Sequence, residues 1–316
     1  MELVTGENDK GRRLDRILRK ALPDYPLPLI HRLLRQKKVL VNGTPAKGED
    51  RLESGSKIDV PEIKNFNKTT HSSSFCREPL VCNIKNTKGK GKSGKEDLKQ
   101  LEILWEDSGL IAVNKPAGIS VHGPDSLDTQ VRSFLCDKLP PSLSFTPGPL
   151  HRLDKPSSGI VVFSSSIEGA RLFTSLMREK KVRKTYLVIV EGNIKNEQIW
   201  RDSLLRDKEI KKTFIAKEDE QGKNAVTKVT PLSVNGNYTL IKAEIETGRT
   251  HQIRAQAASH GHPVAGDVKY GGKKIKGDIF LHAWKLEFLQ YVIEAPIPKT
   301  GELVTKFQFL GQPNVS

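Results

Sequence analysis

The stretch His151–Phe163, HRLDKPSSGIVVF, joins a charged loop to a predicted buried strand and decides how the chain is interpreted. Asp154 lies between Arg152 and Lys155, and the apolar run after Ser-Ser-Gly predicts the strand. Neighbouring cations favour the ionised form of a carboxylate, which can then act as a nucleophile or as a base. The alternative is an aspartate that accepts hydrogen bonds from turn amides.

Similar apolar or alternating runs recur on both sides of this stretch. They predict strands at Leu101–Trp105, Leu110–Val113, Ile160–Phe163, Thr185–Val190, Val226–Val234, Tyr238–Glu246 and Ile279–Phe288. Helices are predicted at 128–139, 166–180 and 249–260. Asn235-Gly236 predicts a hairpin between two of the strands. Residues 101–310 are therefore expected to form an α+β domain with a mixed, mainly antiparallel sheet.

Two further motifs in this domain carry polar groups. TGRTHQIR, Thr247–Arg254, follows an alternating strand and opens a helix, and its two arginines stay charged at any physiological pH. Either Arg249 or Arg254 can pair with a buried carboxylate or a phosphate. In KTYLVIVEG, Lys184–Gly192, Tyr186 interrupts an apolar strand. Core packing is the commoner role of such a tyrosine, whereas one facing a pocket can stack on a base.

Residues 10–63 are predicted to form a small α/β appendage. Apolar residues at helical spacing predict one helix near Leu14 and a second near Leu29, and the prolines between them prevent one continuous helix. Asn42-Gly43 predicts a hairpin after the strand Val39–Val41. The unit is too small to bury a large core.

Positive charge is concentrated on this appendage. In residues 10–41, Lys and Arg greatly outnumber Asp15 and Asp24, and they lie largely outside the apolar stripe. A positive face of this kind is suited to phosphates, although a solvated surface is the usual alternative. The candidate RNA-binding residues are Arg12, Arg13, Arg16, Arg32, Arg35, Lys37 and Lys38.

Residues 64–100 are predicted to be a basic linker or insertion that is partly flexible, because they contain too little apolar surface to offset ordering. Their basic tail, KGKGKSGK, can approach phosphates. Gly89, Gly94 and Lys95 match part of a phosphate-binding loop. Glu96 stands where that loop needs Ser or Thr, so no nucleotide site is predicted.

The composition of the whole chain narrows the class of protein. Its 316 residues suggest about two domains, and the net charge of +15 predicts a polyanionic partner, most often nucleic acid. No apolar run is long enough to cross a membrane, and the first residues are not expected to form a signal peptide. Three cysteines are too few for a disulfide framework, so an intracellular, reducing, cytoplasmic location is expected. Neither HExxH nor a cysteine pair with zinc-site spacing occurs, so no metal site is predicted.

Taken together, these motifs resemble those of the RluA-type pseudouridine synthases. The resemblance includes HRLDKPSSG, KTYLVIVEG and TGRTHQIR, and also NKPAGISVH, GHPVAGDVKYG and LHAWKLEF in the same order. Residues 10–63 resemble the S4 RNA-binding domain found ahead of many such enzymes. The layout is most similar to synthases that modify large-subunit ribosomal RNA. The resemblance implies a pseudouridine synthase fold for residues 101–310.

The resemblance also implies roles for individual residues. Asp154 matches the essential aspartate, Tyr186 the tyrosine that stacks on the target base, and Arg254 the arginine that pairs with the aspartate. Arg152 matches the residue that replaces or holds the flipped nucleotide. Further candidate substrate-binding residues are His151, Arg249 and Leu281.

The implied reaction isomerises uridine to pseudouridine within RNA, without a cofactor. The expected partner is large-subunit ribosomal RNA or its precursor, with transfer RNA as an alternative substrate, and the expected state is a monomer that does not bind membranes. A non-catalytic RNA-binding or ribosome-assembly protein would also explain the charge. An S4-bearing aminoacyl-tRNA synthetase would need HIGH-like and KMSKS-like runs, which the sequence lacks.

Overall fold

The computed structural model describes residues 1–62, 101–217, 219–275 and 279–298. The predicted linker at 64–100 lies outside these ranges, as does the end of the predicted domain 101–310. None of the helices formed by the described residues is long and apolar enough to cross a bilayer.

The N-terminal unit packs two short helices against a four-stranded sheet. Its elements are β1 (Glu2–Val4), α1 (Leu14–Ala21), α2 (Leu27–Arg35), β2 (Leu40–Val41), β3 (Thr44–Pro45) and β4 (Lys57–Asp59). The strand order is β1-β4-β2-β3, so the unit also includes β1, ahead of the predicted start at residue 10. Asn42 and Gly43 have φ of 50° and 78°, as the predicted tight hairpin requires.

The larger unit is built on an 11-stranded sheet. Its strands are β5 (Ile103–Asp107), β6 (Leu110–Lys115), β7 (Gly148–Pro149), β8 (Ser158–Ser164), β9 (Arg183–Glu191), β10 (Gln198–Asp207), β11 (Lys212–Ile215), β12 (Lys223–Asn235), β13 (Tyr238–Ile245), β14 (Leu281–Phe288) and β15 (Tyr291–Glu294). Its helices are α3 (Leu127–Leu135), α4 (Ile167–Arg178) and α5 (Gln252–Ser259).

The strand order of this sheet is β11-β10-β12-β13-β9-β14-β8-β6-β5, with β15 beside β14 and β7 beside β8. β8 and β14 run parallel, and the other paired strands of the described residues run antiparallel. The predicted α+β class and mainly antiparallel sheet are therefore confirmed.

The sheet buries both of its faces, and β8 shows how. Val161 and Phe163 belong to the core that also contains Tyr186. Their neighbours Ile160 and Val162 point to the other face and pack with Phe173 of α4. A strand buried on both sides reads as a continuous apolar run, which explains why it stands out in the sequence.

The start of α4 differs from its sequence prediction. The pattern Ser165-x-x-Glu168 predicts a capping box, but the helix begins at Ile167 and Ser166 is its N-cap. The Ser166 hydroxyl accepts a hydrogen bond from the Gly169 amide at 2.9 Å. Ser165 is instead buried in the turn after β8, where its amide donates to the Gly109 carbonyl at 2.8 Å.

The two units are joined by the carboxylate of Asp9, which is fully buried. Asp9 Oδ1 accepts hydrogen bonds from the Ser142 hydroxyl at 2.7 Å, the Ser144 amide at 3.0 Å and the Ser144 hydroxyl. Asp9 Oδ2 accepts from the Leu143 amide at 2.8 Å and from its own unit through the Gly6 amide at 3.0 Å. Several donors thus compensate the buried charge, as burial of a carboxylate requires.

Candidate active site

Asp154 lies on the loop between β7 and β8, with its side chain 14% exposed. Lys115 at the end of β6 is fully buried, and its Nζ donates to the carbonyls of Pro116, Ile119 and Lys155 at 2.9, 2.8 and 3.2 Å. One ammonium group therefore joins the loop after β6 to the loop that carries Asp154. The carboxylate is partly open to solvent, while the backbone beneath it is fixed.

Arg254 is the charged partner of Asp154. Its Nη1 donates to Asp154 Oδ2 at 3.2 Å, across 100 residues of chain. Its Nε and Nη2 donate to the two oxygens of Asp267 at 2.6 and 2.8 Å. Burial opposes the charge of Arg254, but hydrogen bonds and attraction to Asp267 and then Asp154 outweigh it and raise the pKa of the guanidinium. Arg254 therefore stays charged although it is almost completely buried.

Helix α5 presents Arg254 in its first turn, and Gln252 anchors that turn. Gln252 Oε1 accepts from the Thr247 hydroxyl at 2.7 Å and from the Arg249 amide at 3.1 Å. Its Nε2 donates to the Val226 carbonyl of β12 at 3.1 Å. The polar residues of TGRTHQIR thus bind the helix start to the sheet, which places Arg254 relative to the Asp154 loop.

Tyr186 lies in β9 on the same face of the sheet as the core residue Val161. Burial, followed by the nearby charge of Asp154, raises the pKa of its hydroxyl well above the usual value. The phenol is therefore neutral at physiological pH. It offers an aromatic surface together with a group that can donate or accept a proton.

A family profile described as RNA pseudouridylate synthase matches residues 109–259, and an S4 domain profile matches residues 12–58. A Haemophilus influenzae protein named ribosomal large subunit pseudouridine synthase C is 32% identical over 309 residues, which cover 95% of this chain and 88% of that protein.

The chain belongs to the RNA pseudouridylate synthase family. The protein of the same name from Escherichia coli is 29% identical to the synthase over 311 residues, covering 94% of this chain and 89% of that one. The solved structure of human RNA pseudouridylate synthase domain containing 4 matches with a TM-score of 0.54 at 23% identity, covering 63% of this chain and 89% of the human one. The synthase is therefore an isomerase, and the alternatives of a non-catalytic binder and a tRNA synthetase are not supported.

The structure does not bring His151 to the synthase site, although the sequence placed it among the substrate-binding candidates. Its ring stacks on Phe173 of α4, with ring centroids 6.1 Å apart, on the face of the sheet opposite Tyr186. Its Nε2 accepts a hydrogen bond from the Val162 amide at 3.1 Å. Burial, with a smaller contribution from the charge of Lys184, lowers the pKa of His151 to about 3. His151 thus anchors the start of the Asp154 loop to β8 and α4, on the face of the sheet away from Tyr186.

The other substrate-binding candidates occupy three different environments. Arg152 is exposed, two residues before Asp154 on the same loop. Arg249 is also exposed, and its Nε donates to the Asn224 carbonyl at 3.1 Å. Leu281 is buried in the core that contains Tyr186. Arg152 is therefore exposed close to Asp154 in sequence, whereas Leu281 is enclosed in the core.

Five of the seven RNA-binding candidates of the S4 unit are exposed, and these five residues are referred to below as the basic face. They are Arg16, Arg32, Arg35, Lys37 and Lys38. Arg12 differs because its Nη1 donates to the Ser144 carbonyl at 2.8 Å, at the contact between the units. Arg13 differs because it pairs with Asp15, with distances of 3.2 and 2.8 Å. Arg12 and Arg13 therefore already have hydrogen-bond partners within the protein.

Sequence reasoning missed Asp267 and Lys115 as site residues. Asp267 lies in GHPVAGDVKYG and Lys115 in NKPAGISVH, so both motifs contribute to the resemblance without revealing what their charged residues contact. Burial of a charged side chain can identify such residues, because lysine and aspartate are almost never fully buried unless they are paired with other groups. In this synthase both are buried, and both fix the groups around Asp154.

Proposed function

We propose that this synthase converts uridines of large-subunit ribosomal RNA into pseudouridine, with Asp154 as the group that acts on the nucleoside. The observation that carries this proposal is the pairing of Asp154 with Arg254, which is itself held by Asp267. Arg254 places a fixed positive charge against this carboxylate and aims it for either nucleophilic attack or proton removal. Breaking the N1–C1′ bond, rotating the uracil and joining C5 to C1′ then completes the isomerisation, with the proton lost from C5 and a proton gained at N1.

Tyr186 is proposed to bind the flipped base of the target nucleotide, and Arg152 to occupy or brace the position that the base leaves. A uridine in folded RNA must leave its stack before reaction, at a cost of a few kcal/mol. Stacking on the Tyr186 ring can return about 1–3 kcal/mol per base. Exposed Arg152, beside Asp154, is suited to fill or brace the vacated position. Arg249 is proposed to contact phosphates of the RNA. Leu281, in the core beside Tyr186, is proposed to contact the bound base.

The ribosomal substrate is proposed from the names of relatives that this chain matches over almost its whole length, and from the S4 match. The S4 unit is proposed to place the RNA, residues 64–100 to link the units, and the remainder to perform the chemistry as a cytoplasmic monomer. The test is to map pseudouridines in ribosomal and transfer RNA from cells that lack the protein. Sites that disappear, and return with the wild-type chain but not with Asp154→Asn, identify the target. Losses confined to transfer RNA would contradict the ribosomal assignment.

A further inference from the structure

The carboxylate of Asp154 faces a second nitrogen group besides Arg254. His251 Nε2 lies 3.7 Å from Asp154 Oδ1, and the His251 side chain is 13% exposed. This separation is longer than a hydrogen bond, but contacts of catalytic groups in free enzymes commonly shorten when substrate binds. The two oxygens of Asp154 are thus approached from two sides, by the guanidinium and by the imidazole.

The other nitrogen of His251 is held by Tyr270. His251 Nδ1 lies 2.8 Å from the Tyr270 hydroxyl, which also accepts a hydrogen bond from the Thr213 amide at 2.9 Å. Burial raises the pKa of Tyr270 and lowers the pKa of His251. A protonated phenol therefore meets a neutral imidazole. The Tyr270 ring also lies beneath Arg254, 5.0 Å from its guanidinium carbon, so Tyr270 contacts both partners of Asp154.

A neutral imidazole carries one proton, so its two nitrogens have different roles. We propose that Tyr270 donates its hydroxyl proton to His251 Nδ1 and thereby holds His251 with its proton on Nε2, directed at Asp154 Oδ1. The opposite tautomer would turn the lone pair of Nε2 toward a carboxylate, which is repulsive. His251 is then a positioning residue for Asp154, and this inference rests on the proposed role of Asp154 in the isomerisation.

The backbone around His251 supports a fixed ring position. His251 has φ of 55°, in the left-handed region that non-glycine residues seldom adopt, immediately before α5. Such strained residues persist only where their surroundings hold them. Thr213 of β11 contributes twice, because its amide binds Tyr270 and its hydroxyl donates to the Thr250 carbonyl at 2.9 Å. One strand residue thus holds both the segment that carries His251 and the residue that sets its tautomer.

Arg254 faces one oxygen of Asp154 and His251 faces the other, so shortening of the His251 contact on substrate binding would hold both oxygens of the carboxylate. An ionised carboxylate has about four lone-pair sites, so each oxygen keeps one for the nucleoside. Misplacing a reacting group by about 1 Å can lower a rate by roughly 100-fold. Removing the interaction between His251 and Asp154 is therefore expected to lower the rate of the chemical step without weakening RNA binding.

The tautomer is measured directly by nitrogen-15 NMR on the full chain labelled at histidine. The His251 signals are assigned by their loss in His251→Gln. The expected result is a protonated Nε2 and an unprotonated Nδ1 in the wild type, with a change in Tyr270→Phe. A proton on Nδ1 in the wild type, or the same tautomer in Tyr270→Phe, would overturn the proposal. Because no turnover is needed, this result does not depend on the proposed function.

The consequence for rate is tested with a matched pair, His251→Gln and His251→Leu. Both side chains are uncharged and unbranched at Cβ, but only glutamine can donate a hydrogen bond to Asp154. Single-turnover rates at saturating ribosomal RNA fragment should fall about 10–100-fold in the leucine variant, and most of the rate should return in the glutamine variant. The RNA concentration for half-maximal rate should stay unchanged. Equal losses in both variants, with intact folds by circular dichroism, would refute a donor role.

Discussion

At the residue scale, the site depends on one arginine shared between two aspartates. Asp267 is more deeply buried than Asp154 and lies closer to Arg254. The guanidinium is therefore fixed before any RNA binds, and only its Nη1 is directed at Asp154. A preorganised cation of this kind costs no rearrangement during the reaction, which is the main source of electrostatic catalysis.

Asp154→Asn should abolish turnover while leaving RNA binding intact. The amide keeps the shape of the side chain but removes the negative charge that attack or proton removal requires. Tritium release from RNA labelled at uracil C5 measures the reaction, and equilibrium binding to the same RNA provides the control. Substantial release by a folded variant would mean that another group performs the chemistry.

Tyr186→Phe should retain stacking but slow the reaction, whereas Tyr186→Ala should lose both. The ring provides the surface, and the neutral hydroxyl provides a polar or proton-transfer function. Loss of stacking is expected to weaken binding of a flipped base by about 1–3 kcal/mol. Single-turnover rates and half-saturating RNA concentrations separate the two effects. A wild-type rate in the phenylalanine variant would show that the hydroxyl takes no part.

At the scale of elements, the sequence predicts strongly apolar or alternating strands well and polar strands poorly. β10 and β11 are absent from the predicted strands because their charged, exposed residues dilute the alternation, although Trp200 and Leu204 of β10 are buried. The pairing of Asp154 with Arg254 came from resemblance alone, since no local pattern connects residues 100 positions apart. The sequence likewise does not predict on which face of the sheet His151 lies, because the loop that carries it has no hydrophobic periodicity.

His151→Gln should reduce the loss of stability at acid pH. Below its ordinary pKa of 6.5, unfolded His151 binds a proton, while the folded ring does not until about pH 3. Stability therefore falls as pH decreases through this window, by at most about 1.4 kcal/mol per pH unit for this group. Glutamine does not titrate, and its amide oxygen can accept from the Val162 amide as the ring does.

Urea unfolding from pH 7.5 to pH 4 measures this difference. His282, whose pKa burial lowers to about 4, remains in both proteins and supplies a common background. Loss of the ring contact with Phe173 sets the difference between the two free energies of unfolding at pH 7.5, and this difference should then shift in favour of the variant as pH falls. Parallel curves over the whole range would mean that His151 becomes protonated in the folded state.

At the scale of the whole molecule, the S4 unit is expected to supply affinity rather than chemistry. Changing Arg16, Arg32, Arg35, Lys37 and Lys38 to Gln should flatten the dependence of log affinity on log salt by about 0.7–0.9 for each phosphate that is no longer neutralised. The half-saturating RNA concentration should rise. The saturated single-turnover rate should change much less, because Asp154, Tyr186 and Arg254 all lie in the larger unit.

Two lysines of the same unit provide a matched control. Lys10 Nζ lies 3.7 Å from Glu53 Oε2, and Lys57 Nζ lies 3.7 Å from Glu2 Oε1. Each of these lysines therefore already has an acidic partner. Changing them to Gln should leave the salt dependence almost unchanged. An unaltered slope in the five-residue variant would show that the basic face does not bind RNA. A collapsed saturated rate in a folded protein would show that the face helps to assemble the active complex.

The buried carboxylate of Asp9 makes the S4 unit depend on hydrogen-bond donors of the larger unit, which restricts how the two units can be exchanged between proteins. A chimaera that grafts this S4 unit onto another synthase transfers the carboxylate without the hydroxyls of Ser142 and Ser144 and the Leu143 amide that receive it. A recipient loop with other side chains would bury an uncompensated charge, which costs several kcal/mol. Transfer of this S4 unit to another synthase therefore requires that residues 142–144 of the larger unit are transferred with it.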